Sequence, residues 1–220
     1  MTKKLNNLLA LASLAILLFT IACNNTSSEQ LPILGRREPV SKIVNGKEVV
    51  DTVYQTIQSF RFVNQDSQWV SNDTFKDKIY VADFFFTSCP TICPIMKKNM
   101  LVVYNKFKGN PHFGIISHSI DPRHDSVTVL KKFAHKIGVD DTQWNFVTGN
   151  RDTIYALAEH SYLTTAKEDN AAPGGIVHQG AFILIDKNRH IRGVYDGTNP
   201  EAVDKMMIDI DNLLNEGQKK

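Results

Sequence analysis

The chain has 220 residues, 42% apolar and 22% charged, the proportions of an ordinary globular protein with a substantial core. Lysine and arginine number 25 against 23 acids, and the small excess vanishes once residues 1–22, which carry Lys3, Lys4 and no acid, are set aside. No basic block interleaved with aromatics occurs, so nothing recommends nucleic acid as a partner.

The N-terminus reads as an export signal. Lys3 and Lys4 form the positive flank, Leu8 to Ala22 the apolar stretch, and Ile21-Ala22-Cys23 a small-residue junction. That junction resembles a bacterial lipoprotein lipobox, with Thr20 where leucine is usual, and the resemblance implies acylation of Cys23. Residues 1–22 are then a lipoprotein signal peptide, 23–40 a lipid-anchored flexible tether and 41–220 the folded domain, held at the membrane of a bacterial cell envelope on its extracytoplasmic side. The competing reading is an uncleaved anchor helix, for which the apolar run is short. Asn24 to Gln30 is polar and aperiodic, as a tether requires.

Asn45-Gly46 between two β-prone runs predicts a hairpin over Lys42 to Val50, and a second is expected at Phe60–Val63, turning at 64–67 into Gln68–Val70. Ile79 to Phe86 is nearly continuous apolar sequence, which predicts a strand covered on both faces. Met96, Met100, Val103 and Phe107 make one helical stripe, and a strand at Phe113–Ile120 follows. Asp125 or Ser126 caps a helix with Val127, Leu130, Ala134 and Ile137 inward, and a strand at Trp144–Thr148 and a helix at Asp152–Ser161 complete the next unit. Residues 162–179 read as a long loop, which is often functional. A hairpin across Lys187-Asn188-Arg189 and a last helix burying Val203, Met206, Met207, Ile210 and Leu214 end the chain. There is no internal repeat and no second domain.

Cys89 and Cys93 stand where the apolar strand meets the first helix, in Phe86-Thr87-Ser88-Cys89-Pro90-Thr91-Ile92-Cys93-Pro94. Four-residue spacing on a helix puts two side chains on one face, so the sulfurs can form a disulfide or share a metal. Both chemistries need thiolate, which a helix N-terminus stabilises. An inert staple is the bland alternative, but a bridge closing so short a loop restrains little of the unfolded chain.

The order of elements resembles the thioredoxin-like α/β fold, a central mixed sheet flanked by helices, here with an N-terminal β-hairpin extension. Of the seven histidines, six sit among solvated residues. His178 differs, because in such a fold the loop before the strand at Ala181 faces the N-terminus of the first helix. Asp83, six residues before Cys89, has the offset of the buried acid of thioredoxins; it is either a partly exposed carboxylate or a proton acceptor near the thiols.

Three ordered motifs make the resemblance specific: the Cys-Pro-Thr-Ile-Cys-Pro run, Ser119-Ile120-Asp121-Pro122-Arg123-His124-Asp125-Ser126, and Val177-His178 followed by Phe182–Asp186. Together they are similar to the Sco/SenC family over about residues 55–215. The resemblance implies a copper metallochaperone that binds Cu(I) or Cu(II) through Cys89, Cys93 and His178. Its implied recipient is the copper-bearing subunit of cytochrome c oxidase, with other copper chaperones or thiol reductants as further partners. Two thiolates and an imidazole suit copper, whereas structural zinc takes four protein ligands. The chain departs from the family pattern at Thr91, Val177 and His124, where aspartate, an acidic residue and arginine are usual. The segment from Asp121 to Asp125 is expected to shape the rim of the site.

Two other readings stay open. A membrane-tethered thiol–disulfide reductase would use Cys89 and Cys93 as its redox pair without needing His178, although three intervening residues replace the usual two. Cys-Pro-Thr also occurs around the peroxidatic cysteine of peroxiredoxins, whose threonine spacing this chain does not match.

Overall fold

The computed structural model describes residues 30–169 and 176–216. Cys23 and the whole expected signal lie outside them. Among the described residues no helix is long and apolar enough to cross a membrane.

Strands β1 (Arg37–Val44) and β2 (Lys47–Tyr54) form the first hairpin in continuous antiparallel register. Asn45 and Gly46 take φ of 52° and 75°, the left-handed pair that a two-residue turn matching strand twist demands. Nearly all of its side chains are exposed, Ile43 and Val50 included. Compact packing begins at Leu31. Contacts distant in sequence hold it there: Leu34 bridges to Ile191, and the Arg192 guanidinium donates to the Leu31 carbonyl.

The main sheet has seven strands in the order β11-β10-β5-β6-β7-β3-β4. Strands β3 (Arg61–Asn64) and β4 (Trp69–Ser71) are the second predicted hairpin, and β5 (Ile79–Phe85), β6 (Phe113–Ser119) and β7 (Trp144–Thr148) run parallel through the centre. Every residue of β5, β6 and β7 is buried, because helical and looped segments cover both faces. Helix α1 (Ile92–Phe107) links β5 to β6, α2 (Val127–Lys136) links β6 to β7, and α3 (Arg151–His160) follows β7. Ser126 caps α2 by accepting from the Val129 N–H, and Asn150 caps α3 in the same way.

Residues 162–179 do more than loop. Strands β8 (Ala166–Glu168) and β9 (Ile176–His178) form a small antiparallel ladder that pairs Ala166 with His178. Three-residue strands carry too little alternation to be seen in sequence. β10 (Ala181–Ile185) pairs antiparallel with β5, β11 (Ile191–Asp196) pairs antiparallel with β10 and completes that edge of the sheet, and α4 (Pro200–Glu216) packs on α1. In α4 the fully buried leucine is Leu213, with Leu214 at the margin of the core. This is the thioredoxin-like fold with its hairpin extension.

Candidate functional site

β5 ends in solid core at Phe85 and Phe86, and the chain then turns through Thr87-Ser88, with the Cys89 N–H donating to the Phe86 carbonyl. Pro90 and Thr91 lead into α1, whose first turn carries Cys93. Both cysteines are free thiols, 8% and 4% exposed. Thr91 is the N-cap of α1, yet its hydroxyl caps nothing and lies instead 3.7 Å from the Cys89 sulfur.

The two thiols differ electrostatically. Burial pushes the Cys89 thiol up, but hydrogen bonds from the Thr91 backbone, from Cys93 and from the Thr91 hydroxyl outweigh it and hold Cys89 below the usual thiol range. Burial dominates at Cys93 and raises it well above that range; the neighbouring Cys89 sulfur raises it further, and Lys97 pulls weakly the other way. Of the two sulfurs, the surroundings of Cys89 favour the thiolate and those of Cys93 the protonated thiol.

Asp125 anchors the rim. It is fully buried and accepts hydrogen bonds from the Thr87 N–H at 3.0 Å, the Thr87 hydroxyl and the Ser119 hydroxyl at 2.6 Å. Its second oxygen also holds the His124 ring at 3.1 Å and, as the main cause, draws that exposed imidazole toward its protonated form. Through Asp125, the Asp121–Asp125 segment thus grips the loop two residues before Cys89. Thr87, the residue it grips, carries no signal of its own in the sequence.

The backbone of His178 closes β9, two residues before Gly180. A Cβ built on Gly180 would stand 3.4 Å from Ile92 and 3.6 Å from Met96, so this stretch of backbone lies directly on the first turn of α1. The contact is held by a short relay. The Gly197 N–H donates to the Gly180 carbonyl at 2.7 Å, and the Asn99 amide of α1 donates to the Gly197 carbonyl at 2.8 Å. The segment that carries His178 is therefore tied to the helix that carries Cys93. Among the described side chains, no group of three or more Cys, His, Asp or Glu gathers as a metal site.

Beneath the cysteines lies a polar network that sequence reading found only in part. Asp83 is wholly buried, which rules out an exposed carboxylate, and it is paired with Lys97 of α1 at 2.5 Å, itself 4% exposed. Ser117 of β6 donates to Asp83, accepts from Lys97 at 2.9 Å and accepts from the Trp144 indole N–H at 2.9 Å. Lys97 stands in a Lys97-Lys98 pair that looks solvated. The overlooked signal was its place among Cys93, Met96 and Met100, on the buried stripe of α1.

The SCO1/SenC family matches residues 50–215. The SCO1 protein homolog of Bacillus subtilis is 32% identical over 167 residues, covering 75% of this chain and 86% of that protein. A SCO1/SenC family lipoprotein from Bacillus anthracis superposes with a TM-score of 0.67 at 29% identity, over 73% of this chain and 95% of that one. BsSco, described as a member of the Sco family of cytochrome c oxidase assembly proteins with a disulfide switch, superposes with a TM-score of 0.64 at 32% identity, over 72% and 93% of the two chains. Fold, cysteine loop and sequence similarity agree, and the chain belongs to the SCO1/SenC family.

Proposed function

We propose that this protein is a copper carrier for cytochrome c oxidase assembly, taking copper on Cys89, Cys93 and His178 and releasing it to the copper-bearing subunit by ligand exchange. The observation that carries this reading is the pair of free thiols at the N-terminus of α1, one favoured as thiolate, with the His178 segment clamped on the same helical turn through Gly180. Two sulfurs and one imidazole are soft and borderline donors that suit copper, and a three-ligand set leaves room for an incoming ligand. Lys3, Lys4 and the junction at Cys23 support a lipid-anchored envelope protein whose domain works beside the membrane.

Anaerobic titration of the reduced protein with Cu(I) tests the reading. One equivalent is expected to bind, with affinity lowered about a hundredfold by His178→Ala, in the range that loss of a metal ligand or its support produces. Absence of stoichiometric binding, or no effect of His178→Ala, overturns it.

The unequal thiols favour a second activity at the same residues. Cys89, as thiolate, would attack a disulfide in the recipient and form a mixed disulfide as one recipient sulfur leaves. Attack by Cys93 would then free the second sulfur and leave Cys89–Cys93 oxidised, two electrons having passed to the recipient. An external dithiol must restore the pair. Retention of disulfide reduction by His178→Ala would mark this activity as independent of copper binding.

A further inference from the structure

We propose that the Lys97 ammonium is a built-in counter-charge for the cysteine pair, favouring its anionic, metal-holding state over the neutral disulfide. The proposal rests on the reading of Cys89 and Cys93 as the sulfurs that hold copper.

Lysine is seldom buried without a reason, and a buried ion pair is weak as a stabilising device, because desolvation offsets its attraction. Here both partners are inside, at 4% and 0% exposure. The ammonium is held at one place: by Asp83 at 2.5 Å, by Ser117 at 2.9 Å, and over the face of Phe85 with 4.2 Å to the ring centroid. Ser117 is itself fixed by Asp83 and by the Trp144 indole, so the charge is pre-organised. Lys97 follows Cys93 by one helical turn on the buried face of α1, the spacing at which two side chains of a helix are neighbours.

The charges of the possible states differ. A disulfide and a fully protonated dithiol are neutral, whereas a thiol–thiolate pair and two thiolates holding one Cu(I) each carry a net single negative charge. A fixed positive charge in a poorly screened interior lowers the energy of the two anionic states relative to the two neutral ones. Asp83 tempers that effect and keeps the ammonium in position. Lys97 is thus a positioning residue in the electrostatic sense: it touches neither metal nor recipient and acts through the sulfurs.

The test compares wild type, Asp83→Asn, Lys97→Met and the double variant as full-length reduced protein in detergent, titrated with Cu(I) against a chromophoric chelator. Lys97→Met is expected to bind about tenfold more weakly, the size of one screened charge interaction. Asp83→Asn, which keeps the side chain's shape and one of its two acceptor oxygens and removes the opposing charge, is expected to bind more tightly, and the double variant to fall below Asp83→Asn. A packing role would weaken binding in both single variants, so opposite signs are the diagnostic. Should Lys97→Met not fold, the drop from Asp83→Asn to the double variant decides the matter.

The same order is expected without metal, in the equilibrium of the Cys89–Cys93 disulfide with dithiothreitol at pH 8. There two electrons and two protons pass from dithiothreitol to the sulfurs, or one proton where Cys89 remains thiolate. Lys97→Met should make the disulfide about threefold harder to reduce, again from the lost charge. Shifts in the same direction for both single variants, or none, overturn the proposal. If wild type binds no Cu(I), the copper reading fails while the dithiothreitol equilibrium still decides the role of Lys97.

Discussion

Two buried polar side chains, Ser117 and His118, sit on adjacent residues of β6 and point to opposite faces of the sheet. Ser117 pairs with Asp83 in register and joins the Lys97 network on the α1 face, where each polar group has a partner. His118 pairs with Phe84 and points into a box of Phe60, Phe62, Phe84 and Tyr162, where neither ring nitrogen has a hydrogen-bond partner. One face therefore buries charge and organises it beneath the cysteines, and the other buries an imidazole as though it were a phenyl ring. Burial alone does not distinguish a working polar group from a tolerated one; its partners do.

The largest effect should come from breaking the organised side. Lys97→Met leaves the Asp83 carboxylate buried and unpaired, and a loss of about 3–5 kcal/mol in urea unfolding is expected. Asp83→Asn keeps one acceptor oxygen but leaves the buried Lys97 ammonium without its counter-charge, and should also destabilise the protein, by about 1–3 kcal/mol or more.

The tolerated side is exposed by pH. Burial holds the His118 imidazole at about 3 in the folded protein, below its ordinary value of 6.5. Below pH 6.5 the unfolded chain takes up a proton that the folded state refuses, so stability falls as pH drops from 6.5 toward 3 and is unaffected above that window. The expected slope is about 1.4 kcal/mol per pH unit inside the window. His118→Phe should remove most of that slope in thermal unfolding measured at pH 7 and pH 4.5. An unchanged slope would mean that the acid sensitivity lies elsewhere.

Smaller effects sharpen the contrast nearer the site. Asp125→Asn weakens the grip on Thr87 and should cost about 1–3 kcal/mol by urea unfolding, with faster alkylation of Cys89 as its loop loosens. Gly180→Ala brings a methyl within 3.2 Å of Thr198 and 3.4 Å of Ile92, and a loss of about 1 kcal/mol or less is expected, with weaker Cu(I) binding as the His178 segment lifts from α1. At the far end of the scale, Ile43→Thr on the exposed hairpin should stay within about 0.5 kcal/mol of wild type.

The strands and helices that the chain order announced are the long, strongly patterned ones. Met96, Met100 and Val103 on α1, the apolar run of β5, and Asn45-Gly46 each carry their structure in local periodicity or turn chemistry. Cys89 and Cys93 stand out in the sequence as a candidate site because a thiol pair at a strand–helix junction has few other uses. The β8–β9 ladder was not legible, since three-residue strands leave no pattern. Neither was the start of the folded unit at Leu31, which depends on Arg192, distant in sequence.

By itself, then, the sequence determined the order of elements, the cysteine pair and the family motifs, all properties of neighbours along the chain. Tertiary structure alone decided that Lys97 is buried, that Asp83 and Ser117 receive it, that Asp125 holds Thr87, and that Gly180 seats the His178 segment on α1. Each of those facts joins residues on different elements. Whether a lysine is a solvated side chain or a buried counter-charge is set by what folding places around it, which no local pattern encodes.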